Sequence, residues 1–85
     1  MAAQPADIAN LEQLAQSFDH QHYAVSLVTT GLPYLAVTNR ATPRLTERIH
    51  AHDGCYWWSW AERICPVHDV PQAATKIANV LRTAG

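Results

Sequence analysis

Eighty-five residues, 48% of them hydrophobic and 15% charged, make one small globular domain rather than a disordered chain. A formal net charge of −1 with neutral histidines excludes the strongly basic footprint of a nucleic-acid binder. No apolar run approaches the roughly 18 residues of a membrane span, and the N-terminus lacks the basic region and apolar core of a secretion signal, so a cytoplasmic location is expected.

Residues 1–6 carry no periodicity and are read as a loose arm. Asp7 can cap a helix over about residues 8–18, where Ile8, Leu11, Leu14, Ala15 and Phe18 fall near one stripe. The run Asp19-His20-Gln21-His22 ends it. Tyr23 to Thr29 alternates with a β-branched bias and predicts a strand. Thr30-Gly31-Leu32-Pro33 is a turn, and Tyr34 to Thr38 is a second strand, antiparallel to the first. Thr42-Pro43 reads as a hydroxyl cap followed by proline, predicting a short helix over about residues 43–51 that Asp53-Gly54 ends. Cys55 to Ile64 reads as a third strand, and Cys65-Pro66-Val67-His68 as a linker. Asp69 with Gln72 resembles a capping box, and Ala73, Ile77, Val80 and Leu81 mark a final helix to about residue 83. The order α-β-β-α-β-α predicts an α+β fold. Its helices pack on one face of a three-stranded antiparallel sheet, and the other face stays open unless a second chain covers it.

All three tryptophans fall in the third predicted strand, as Trp57, Trp58 and Trp60. Successive strand side chains point to opposite faces. Trp58 and Trp60 would then share a core face with Tyr56, Glu62 and Ile64, while Trp57, Ser59, Ala61 and Arg63 face the other way. Aromatics are enriched at interface cores, so the expected contact is the Trp57 side, with Ser59 and Arg63 beside it, or else the edge of the third strand, where antiparallel pairing of two copies would extend the sheet. Arg44 and Arg48 share a face of the predicted helix and could meet an acidic partner. The rival reading is an apolar small-molecule pocket lined by Tyr34, Trp58 and Trp60.

Cys55 and Cys65 would lie roughly 33 Å apart on an unbroken strand at about 3.3 Å per residue, far beyond the ~7 Å a disulfide spans. Two free thiols are expected. His50 and His52 could pair with Cys65 and His68 around zinc, but the same length separates the pairs, so neither metal nor other cofactor is expected. Cys65 beside His68 is the only local nucleophile–base arrangement. It lacks a glycine-rich oxyanion setting, and Asp69 has a simpler role as helix cap. Gly31, Gly54 and Gly85 form no phosphate-binding loop.

Leu35-Ala36-Val37-Thr38-Asn39, Pro43-Arg44-Leu45, Tyr56-Trp57-Trp58-Ser59-Trp60-Ala61-Glu62-Arg63-Ile64 and the Asp69-started helix ending Ala78-Asn79-Val80-Leu81 resemble a group of small, uncharacterised actinobacterial proteins. Such proteins look like neighbours or accessories of helix-turn-helix regulators. The resemblance implies a regulatory or interaction role and carries over no catalytic residue. The sequence therefore predicts a non-catalytic interaction module that pairs with itself as a homodimer and possibly with another protein.

Overall fold

The computed structural model describes residues 5–82. Helix α1 (Pro5–Gln16) is followed by β1 (Tyr23–Val28), β2 (Tyr34–Asn39), β3 (Thr46–His52), β4 (Cys55–Trp58) and β5 (Arg63–Pro66), then helix α2 (Val70–Val80). The strands form one antiparallel meander in chain order, β1-β2-β3-β4-β5. The class is α+β. The sheet has five strands in place of the expected three, and no helix lies between the second and third of them.

The first correction falls on residues 43–51, expected to be helical. Thr42 and Pro43 serve a loop instead. The Thr42 N–H donates to the Asn39 carbonyl and the Leu45 N–H to the Thr42 carbonyl. The Asn39 side-chain oxygen accepts from the N–H groups of Ala41 and Thr42 at 2.9 and 3.3 Å. From Thr46 onward the side chains alternate. Ile49 and Ala51 are buried, with Glu47 on their side, while Thr46, Arg48, His50 and His52 face away. Period two wins over the four-residue spacing of Leu45 and Ile49 because the meander buries only one face of the segment. Asp53-Gly54 then closes a hairpin rather than ending a helix. Both residues have positive φ, 52° and 72°, as a two-residue turn matched to strand twist requires.

The second correction falls on residues 55–64. The chain folds back after Trp58, so the expected single strand is two. The Ala61 N–H donates to the Trp58 carbonyl at 3.0 Å, and the Trp58 N–H to the Glu62 carbonyl at 2.8 Å. Ala61 has φ of 67°, a left-handed position where a hairpin of this length usually carries glycine. An L side chain there costs about 1–2 kcal/mol, partly offset by the entropy glycine would lose. Ala61→Gly should therefore stabilise the domain by about 0.5–1 kcal/mol, read as a raised urea midpoint with unchanged slope.

Both helices pack on one face of the sheet. Leu11 and Leu14 of α1, Phe18 just beyond it, and Ala73, Ile77 and Leu81, along α2 and its C-cap, join Leu35, Val37, Ile49, Ala51, Tyr56, Trp58, Ile64 and Cys65 in one buried cluster. Each fully buried leucine or isoleucine contributes about 1.5–3 kcal/mol. Pro5 and Ala6, expected in a loose arm, belong to α1; residues 1–4 of that arm lie outside the described residues. Asp69 caps α2 by accepting from the Gln72 N–H at 3.3 Å.

Two long-range hydrogen bonds pin the layers. The Asn39 amide donates to the Leu81 carbonyl at 2.8 Å, and the Tyr56 hydroxyl to the Asn10 carbonyl at 2.7 Å. Burial pushes the Tyr56 hydroxyl up to about 12, with the Cys65 thiol as a lesser contributor. The folded chain thus keeps a proton that the unfolded chain releases near 10. Stability should be insensitive to this group below that pH and fall as pH rises from about 10 towards about 12. Tyr56→Phe should lower stability at neutral pH by about 1 kcal/mol and flatten the alkaline decline. Urea midpoints across that pH range check both.

Candidate interaction face

The sheet face away from the helices carries one continuous row. Val28 lies opposite Tyr34, His50 opposite Trp57, and Trp57 opposite Arg63. Tyr34 and His50 close the row between β2 and β3, with ring centroids 6.1 Å apart and a contact of 3.1 Å from His50 Nδ1 to the Pro33 carbonyl. Val28, Tyr34, His50, Trp57 and Arg63 therefore run across all five strands.

Two neighbours brace the aromatic members. The Arg48 guanidinium lies over the Tyr34 ring, 4.9 Å from its centroid. The His52 ring stacks on Trp57 at 4.6 Å and 4°. The Trp57 indole N–H donates to the His52 carbonyl at 3.0 Å, fixing the indole against the turn. Ser26 and Ala36, facing the same way in the next row, are small and leave a low floor beside Arg48.

The charge on this face is one-sided. Its strand residues include Arg48, Arg63, His50 and His52 but no carboxylate, since Glu47 points to the covered side. The ion pairs among the described residues are Asp19 with His22 and Asp53 with His52, so Arg48 and Arg63 enter none. Glu62, in the β4–β5 turn, is engaged by the Trp60 indole N–H at 3.1 Å.

Of the residues expected to contact a partner, Trp57, Arg48 and Arg63 come together here. Ser59 sits exposed in the β4–β5 turn and Arg44 in the β2–β3 loop, both away from the row. The basic stripe of Arg44 and Arg48 does not form, because there is no helix to carry it. The alternative pocket also comes apart. Tyr34 is on the open face, Trp58 is buried on the covered face, and Trp60 is half exposed on the turn. His50 and His52 were missed as members of the face. Their signal was the alternation Arg48-x-His50-x-His52, once read as a strand.

The thiols offer little chemistry. Cys55 and Cys65 are both free, but distance is not the reason. The fold-back sets Cys55 opposite Pro66 and Cys65 opposite Tyr56, which puts the two side chains on opposite faces of adjacent strands. Burial pushes the Cys65 thiol above its ordinary value, with Asp69 adding to the shift. Its sulfur donates to the Asp69 carbonyl at 3.5 Å, while His68 is exposed. A buried thiol held in its neutral form is a poor nucleophile. The separation invoked against a zinc site also disappears with the fold-back, yet His50 and His52 face away from Cys65. Among the described residues no three His, Cys, Asp or Glu side chains are grouped to hold a metal ion.

Comparison with protein-family models, curated proteins and solved structures finds no match to this chain. Among the described residues, no helix is long and apolar enough to cross a membrane.

Proposed function

We propose that this chain is a non-catalytic protein-interaction module that docks a protein partner on the helix-free face of its sheet. One observation carries the reading: a row of Tyr34, His50, Trp57 and Arg63, the last paired across a bulge, with Arg48 beside it in no ion pair among the described residues, on the face that neither helix covers. Aromatic and arginine side chains dominate binding energy at protein interfaces. A partner presenting carboxylates around an apolar patch fits this face. Two copies set face to face would instead bring arginines together with no carboxylate on the strands between them. A cytoplasmic, regulatory or accessory role, as the resemblance to companions of helix-turn-helix regulators implies, belongs to the same proposal.

The test is capture from extract of the native cell by the immobilised chain. Partners of this face should be retained by the parent and by Glu12→Ala, an exposed change on α1, but lost with Trp57→Ala and with Arg48→Glu. Capture that survives both face substitutions would defeat the reading.

A further inference from the structure

We propose that two copies of this chain pair through β1, edge to edge, to give a continuous ten-stranded sheet. This goes beyond docking on the open face and uses a different surface.

The two edges of the sheet are treated very differently. At β5 the outward groups are occupied. The Lys76 ammonium donates to the Ile64 carbonyl at 2.8 Å, Pro66 has no N–H to offer, and its carbonyl accepts from the Asp69 N–H at 3.1 Å. Arg63 adds a charge to the same strand. Lysine, proline and charge are the usual means of blunting an edge.

At β1 none of these is present. Tyr23-Ala24-Val25-Ser26-Leu27-Val28 has neither charge nor proline. The ladder fixes which of its backbone groups point outward. The Asn39 N–H donates to the Leu45 carbonyl, so the odd-numbered residues of β2 bond towards β3 and the even-numbered ones towards β1. The bond from the Arg40 N–H to the His22 carbonyl follows the same alternation. Ala24, Ser26 and Val28 therefore bond to β2, leaving the N–H and C=O groups of Val25 and Leu27 directed away from the sheet. No described residue bonds to them.

That pattern is self-complementary. A twofold axis at Ser26 sets Val25 against Leu27 of the partner subunit, and Leu27 against the partner's Val25. Each pair exchanges backbone hydrogen bonds. On the covered face Val25 and Leu27 meet their counterparts, so the apolar layer runs on across the axis. On the open face Ser26 meets the partner's Ser26, and Ala24 meets the partner's Val28, with no like charges opposed. Moving the axis to Val25 would require the Tyr23 N–H, which already donates to the Asp19 carbonyl at 2.9 Å. The register at Ser26 is therefore preferred. In this dimer the two Tyr34–His50–Trp57–Arg63 rows lie on one surface.

Sedimentation equilibrium and amide hydrogen exchange test the proposal together. The parent should sediment as a dimer, and the Val25 and Leu27 amides should be protected although no bond within the chain holds them. Ser26→Lys puts two ammonium groups side by side at the axis. It should yield a monomer of unchanged circular dichroism in which those two amides exchange at least tenfold faster. A monomeric parent at every concentration, a dimer that survives Ser26→Lys, or a dimer with unprotected Val25 and Leu27 amides would overturn it. Trp57→Ala should leave the dimer intact, so failure of edge pairing and failure of open-face docking give different results.

Discussion

Trp58→Ala should cost about 3–5 kcal/mol of stability, the range for deleting a large aromatic from a core. Trp58 is 6% exposed, lies opposite Ile49 on the covered face and belongs to the single buried cluster. A domain of this length has roughly 4–13 kcal/mol in total, at about 0.05–0.15 kcal/mol per residue. The variant should therefore lose a large share of its stability, with its urea midpoint far below that of the parent. Trp60→Ala should behave quite differently. Trp60 is 52% exposed and stacks on Trp58 with centroids 4.9 Å apart and planes 5° from parallel. It acts as an outer plate over a core ring. Its loss should cost about 1 kcal/mol, the worth of one aromatic pair. Urea titrations followed by circular dichroism compare the two. Equal costs would mean that the β4–β5 turn does not separate these rings.

That separation is the point at which the sequence misled. An unbroken strand from Cys55 to Ile64 places Trp58 and Trp60 on one buried face. The turn between them carries Ser59-Trp60-Ala61-Glu62, with no glycine, proline or asparagine to announce it. Ala61 adopts a left-handed conformation that its side chain does not favour, so local propensity gave no warning. The remaining hairpins were better signposted. Gly31 and Pro33 marked the β1–β2 turn correctly. Asp53-Gly54 is a strong hairpin signal, but after the helix start that Thr42-Pro43 suggests it reads as a helix end. Both outer helices were legible, since the apolar spacing of Leu11 and Leu14, and of Ala73, Ile77 and Leu81, reflects a single buried stripe.

The same turn remakes the candidate face. On a single strand, Arg63 would lie far along the chain from Trp57, at the end of a narrow ribbon. Folded back, it becomes the cross-strand neighbour of Trp57. Reassigning residues 46–52 from helix to strand then adds Arg48, His50 and His52 to the same surface. The alternation that places Trp57 away from Tyr56 and Trp58 could be read from the residues alone. The composition of the surface around it could not, because it depends on which strands are neighbours.

Trp57→Ala should leave the fold nearly intact and weaken partner binding by about 2 kcal/mol or more, roughly 30-fold in affinity. The indole packs on His52 and donates to its carbonyl, but it contributes nothing to the buried cluster beneath the helices. Its removal forfeits one stacked pair, worth about 1 kcal/mol, and one exposed hydrogen bond whose carbonyl water can satisfy instead. Binding should suffer more because Trp57 is flanked on both sides, by His50 and Arg63, where a docked surface can exclude water from the indole. His52→Ala gives the internal comparison. It removes the plate while leaving both the indole and the backbone carbonyl that holds it, so binding should fall by less than with Trp57→Ala. Titration calorimetry against the captured partner, paired with urea midpoints for each variant, reads both effects. Loss of stability in proportion to loss of binding would make Trp57 a structural residue. Weak binding with a near-parental midpoint would make it the centre of the interface.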